Sequence, residues 1–104
     1  MFLKLKSNVL FRGFKSFGFI TDNRNFGYKQ TNDNENHIGD KILSESGSLF
    51  VSVLTKKPQS FDDIVEVIMK HFDDVDIEII KNDALEFYGI LELDGFIVSG
   101  VTMQ

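Results

Sequence analysis

The sequence predicts an α+β domain, a three-stranded antiparallel sheet followed by three helices. Three observations lead there. Strand formers gather in the front half, at residues 9–12 and 17–22. The extended run Lys41-Ile42-Leu43 stops at a polar corner, Ser44-Glu45-Ser46-Gly47, and a compact apolar segment follows. Near the end, Ile80, Ala84, Phe87 and Leu91 recur every three or four residues, the period of one buried helix face. Strands first and helices after indicate α+β rather than a doubly wound sheet.

Each element has a local reason. Residues 9–12 form a short apolar run, read as the first strand. Residues 17–22 give the second, and Asn23-Arg24-Asn25 supplies turn chemistry. Residues 26–30 alternate aromatic with small or polar side chains, so they read as the returning strand of a hairpin. On it Phe26, Tyr28 and Gln30 share one face. Residues 31–40 are rich in Asn, Asp and Glu and read as a loop. Serines at the corner are suited to cap a first helix over 47–54. Pro58 breaks the chain after it. Ser60 with Asp63 three residues on resembles a capping box and opens the second helix. Ile64, Ile68 and Phe72 supply its buried stripe. Residues 73–76 connect to a third helix over 77–92, whose buried face is expected to hold Ile80, Phe87 and Leu91. Asp94-Gly95 closes it, and 96–98 reads as a final extended segment.

With 104 residues and 42% hydrophobic content, the chain suits one domain over 1–104 with one core, much of it from eleven phenylalanines. Cysteine is absent, which rules out disulfides, thiolate metal sites and a cysteine nucleophile. The start, Met1-Phe2-Leu3-Lys4-Leu5-Lys6, has no signal-peptide pattern, and no run reaches membrane-spanning length. A cytoplasmic location is expected. The net charge of −5 repels a phosphate backbone and lowers the odds of nucleic-acid binding.

No catalytic set or metal site emerges. A calcium loop opening at Asp22 would place Arg24 and Phe26 at ligand positions, and neither ligates through side-chain oxygen. One opening at Asp33 has its glycine a position late, at Gly39, and Ser44 where a glutamate is needed. His37 and His71 lack metal-ligand spacing, and no nucleophile elbow or phosphate-cradling glycine loop exists. Neither cofactor nor metal is expected. The remaining signal is aromatic. Phe26 and Tyr28 share a strand face, as core or as surface aromatics, and Leu85 and Tyr88 lie beside the main stripe of the third helix, as peripheral core or as a groove wall. A strand and a helix flanking an apolar groove can receive an extended peptide as an added strand.

Two stretches carry a family resemblance. Leu43-Ser44-Glu45-Ser46-Gly47 is similar to a Leu-Asn-Glu-Thr-Gly corner. The run from Asp83 to Ile97 is similar to a final helix with a Phe, a Leu four residues later, and a Gly followed by apolar residues. With the element order, the chain resembles the PqqD-like peptide-binding domains, or RiPP recognition elements, over roughly residues 9–98. The tone of residues 17–28 resembles the subset serving radical SAM peptide maturases. The resemblance implies a winged-helix-like fold and an adaptor without chemistry of its own. Such a domain binds the leader of a ribosomally made precursor peptide and presents the precursor to a separate enzyme. It implies a leader-binding site at Phe26, Tyr28, Lys29, Gln30 and Ile42 on the strand side. Lys81, Leu85 and Tyr88 form the helix side. The 31–40 insertion leaves the docking strand open between 26–30, 41–44 and a strand bent through both. A winged-helix DNA-binding domain shares the architecture but needs a basic recognition helix. Here Glu78, Asp83, Glu86 and Glu92 oppose Lys81 on the third helix.

Overall fold

The computed structural model describes residues 1–22 and 40–100. Its strands are β1 (Phe2–Leu5), β2 (Val9–Gly13), β3 (Gly18–Asp22), β4 (Asp40–Leu43), β5 (Gln59–Ser60) and β6 (Ile97–Gly100). The helices are α1 (Glu45–Ser52), α2 (Phe61–Met69) and α3 (Ile77–Asp94). The fold is α+β, as expected, with antiparallel three-stranded sheets and three helices among the described residues.

The sheet β2-β3-β4 pairs Phe11 with Ile20 and Ile20 with Lys41, and places Leu43 opposite Gly18. Residues 9–12 therefore form the hairpin partner of β3. The partner expected at 26–30 lies outside the described residues. Leu43, Ile20 and Val9 face the core, while Leu10, Arg12, Asp40 and Ile42 point away from it. Gly18 is required by close approach: a Cβ there would come within 2.5 Å of Ser48 Oγ on α1.

A second sheet, β5-β1-β6, was not expected. β1 pairs along its length with β6, Phe2 opposite Gly100 and Leu5 opposite Ile97. It also pairs briefly with β5, Leu3 opposite Gln59. Leu3 and Leu5 are buried and alternate with half-buried Phe2 and Lys4, the period-two pattern of a strand with one core face. Four residues of it are too few to stand out in sequence. The sheet carries the chain from the helices back to its first strand.

The helix caps follow the sequence signals. Ser44 accepts from Gly47 N at 3.1 Å and Ser60 from Asp63 N at 3.1 Å, each satisfying a free N–H of the first turn. Asp76 does the same for Glu78 N at 2.9 Å. Gly95 ends α3 with φ 93°, a left-handed conformation that glycine adopts at little cost. One apolar cluster joins both sheets to all three helices. Ile20, Val51, Ile68, Leu91 and Phe96 in it have no measurable exposure.

The phase of α3 differs from the expectation. Ile80, Ala84 and Leu91 are buried, but the intervening core position is Tyr88, at 3% exposure, and Phe87 is half-buried. A 3.6-residue period allows either residue to follow Ala84 on the face. Tyr88 fits inside because its hydroxyl donates to the Phe50 carbonyl at 2.7 Å, so its polar tip is satisfied. Phe87 turns to the flank and meets Phe50 edge-on, with ring centroids 5.5 Å apart.

Candidate functional site

The groove begins at the corner between β4 and α1. Ser44 ends the strand and caps the helix, so one residue fixes both walls near that point. Gly47, in the first turn of α1, lets α3 come close. A Cβ there would sit 3.0 Å from the Phe87 ring. Between α1 and α3 lies a groove of about 450 Å³, with Ile80 and Phe50 on its floor and Phe72, Val75, Ile79, Phe87 and Ile90 around it. Ile79 and Ile90 are half exposed, so large apolar side chains line its mouth. Among the described residues the lining includes the carboxylates Asp83 and Glu86 and no lysine or arginine.

The flank of α3 that carries Asp83, Phe87 and Ile90 continues to Asp94, at intervals of four, three and four residues. Asp94 accepts an ion-paired hydrogen bond from Lys41 Nζ at 2.7 Å. This pair ties β4 to the C-terminal end of α3. Among the described residues β4 pairs only with β3 and stands at the edge of the sheet. An edge strand presents unpaired N–H and C=O groups on its outer side. The candidate site therefore joins the outer edge of β4 to the Asp83, Phe87 and Ile90 flank of α3.

The expected site residues divide accordingly. Phe26, Tyr28, Lys29 and Gln30 lie outside the described residues. Ile42 lies on β4 but points to the far face of the sheet, away from the groove, at 71% exposure. Lys81 and Leu85 occupy the opposite flank of α3. Glu92, seven residues beyond Leu85 on that flank, accepts from Ser99 Oγ at 2.9 and 3.0 Å, so it looks toward β6. Tyr88 is core, its phenol pKa pushed up by burial, and it forms no groove wall. Physically, the correction is the turn of α3 that buries Tyr88. It carries Leu85 away from the groove and brings Ile79, Asp83, Phe87 and Ile90 to it. The spacing of those four residues was visible in sequence, but Phe87 had been given to the core.

Among the described residues, no group of three or more His, Asp or Glu side chains converges to hold a metal ion. Nor is any described helix long and apolar enough to cross a membrane. No protein-family model matches this chain, and no curated protein or solved structure matches it.

Proposed function

We propose that this domain binds the leader region of a ribosomally synthesised precursor peptide and presents it to a separate peptide-modifying enzyme of the radical SAM kind, in the cytoplasm. The observation that carries the reading is an edge strand, β4, beside an apolar groove on α3. Its second support is the resemblance to PqqD-like domains in the Leu43–Gly47 corner and the Asp83–Ile97 run. The leader adds to β4 as an antiparallel strand. Backbone hydrogen bonds supply sequence-tolerant affinity, and the groove selects side chains. Apolar anchors of the leader enter between Phe87, Ile79 and Ile90. Asp83 and Glu86 favour a lysine or arginine beside those anchors. The domain acts as an adaptor and supplies no catalytic group.

Sub-micromolar binding needs about 8 kcal/mol. A few apolar anchors at about 1.5–3 kcal/mol each, with strand pairing, reach that after ordering costs. The test is an amide chemical-shift map during titration with leader peptides encoded near the gene. Shifts are expected at Lys41–Leu43 and along Asp83–Ile90. Ile90→Asp is expected to weaken binding by about thirtyfold, since a carboxylate would be buried in an apolar groove at a cost of about 2 kcal/mol. Leu85→Asp, on the far flank, is expected to leave binding unchanged. Shifts confined to α2 would overturn the site.

A further inference from the structure

The face of β2-β3-β4 turned away from the helices exposes large apolar side chains on its outer strands and at its hairpin end. Leu10 (53%), Phe14 (50%), Phe17 (42%) and Ile42 (71%) are exposed there. Phe14 and Phe17 stack at 4.7 Å at the hairpin end. At roughly 200 Å² per large side chain, these exposures leave roughly 400 Å² of apolar surface, within the range of the largest patch on a typical monomer, which is often functional. The two charges on the strands of this face are placed diagonally. Arg12 stands across from Phe19 and then Ile42, and Leu10 stands across from Thr21 and then Asp40. Arg12 and Asp40 therefore occupy opposite corners of a rectangle whose other corners are Leu10 and Ile42. From strand spacing and rise, those corners are roughly 12 Å apart.

We propose that this face is a two-fold interface between two copies of the chain. An isologous interface must be complementary to itself. A two-fold axis along the Leu10–Ile42 diagonal meets that requirement. It lays Leu10 on its counterpart and Ile42 on its counterpart, and it sets Arg12 of each copy against Asp40 of the other. The same axis crosses the two sets of strands at roughly 70°, closer to the orthogonal than to the aligned way in which sheets pack face to face. Contributions from both copies, with the polar rim, place the buried surface at the low end of specific interfaces, so the dimer is reversible and of micromolar strength. The groove on α3 lies on the opposite side of the sheet and stays open in such a dimer.

Sedimentation velocity of the full chain from about 1 to about 500 µM tests this, with a monomer–dimer equilibrium expected in that range. Arg12→Asp and Asp40→Arg are each expected to raise the dimer dissociation constant at least about tenfold. The double reversal is expected to restore it, because the ion pair re-forms with its signs exchanged. Ile42→Glu, at an exposed position that leaves the fold intact, is expected to abolish the dimer. A chain monomeric throughout, a dimer that survives Ile42→Glu, or a double reversal as weak as the single variants would each overturn the proposal.

Discussion

Replacing Tyr88 by phenylalanine isolates one buried hydroxyl and tests the phase of α3. Phe50 lies in the last turn of α1, where carbonyls lack a donor within the helix, and the Tyr88 hydroxyl supplies one at 2.7 Å. Tyr88→Phe keeps the ring and leaves that carbonyl unpaired. The expected loss is about 1–2 kcal/mol, within the range for an orphaned buried acceptor. In a domain of this size it lowers Tm by about 4–8 °C for each kcal/mol. The pH dependence gives a second readout. Burial raises the folded-state phenol pKa above its unfolded value of about 10. Above about pH 10 the unfolded chain releases this proton while the folded chain retains it, so the parent's stability falls as pH rises, by up to about 1.4 kcal/mol per unit. Below that pH the contribution is present in full. The phenylalanine variant lacks the titration, so the gap between parent and variant should be constant to about pH 9.5 and then close over about one to two further units. Urea unfolding of both proteins from neutral to alkaline pH measures the gap. Equal stabilities at neutral pH, with no convergence above pH 10, would place Tyr88 on the surface and refute the phase.

Three further outcomes are expected. Leu91→Ala, at a position with no exposure, should cost about 2–5 kcal/mol. Phe87→Ala should cost less than the 3–5 kcal/mol usual for a fully buried aromatic, because its ring is half in the groove. Denaturant titrations compare the two, and a larger loss for Phe87→Ala would contradict the assignment. Lys41→Ala should change stability by less than about 1 kcal/mol, since the pair with Asp94 is partly solvated and screened by salt. Thermal melts with calcium, zinc or a chelator should superimpose. A ligand at one hundred times its dissociation constant would add about 2.7 kcal/mol, so specific metal binding would be seen as a clear rise in Tm.

The parts legible in the sequence were those set by short-range chemistry. Ser44, Ser60 and Gly95 mark helix ends through hydrogen bonds and backbone conformation that span a few residues, and each sits where its residue type predicts. The strand pair β2-β3 is local and was partly legible, though its partnering was not. What sequence did not reveal was long-range. β1 gains its identity by pairing with β6, from the other end of the domain, and briefly with β5. The face of α3 depends on a hydroxyl meeting a carbonyl 38 residues away. Periodicity narrows a buried stripe to two adjacent candidates, and the choice between Phe87 and Tyr88 is made by what α1 places opposite them. The site shared that fate. Its strand, 41–44, was among the alternatives, but its helix flank followed from the phase and moved with it.

The corner at Ser44 ties strand edge to groove, and this has a consequence for recognition. A peptide strand added to β4 inherits the strand's register, because its backbone must meet fixed N–H and C=O groups. Alternate side chains of that peptide, about 6.8 Å apart, then face α3. Along α3, Asp83 and Phe87 are separated by four residues, about 6 Å of rise. On the proposed docking, with the peptide running along α3, a basic residue and an apolar residue two positions apart would reach Asp83 and the Phe87–Ile90 pocket together. A peptide with the same two residues adjacent would turn one of them to the opposite side of its strand. On the proposed docking, selectivity for spacing as well as composition is expected. The Lys41–Asp94 pair and the Gly47–Phe87 contact support it by fixing β4 and α1 against the same helix.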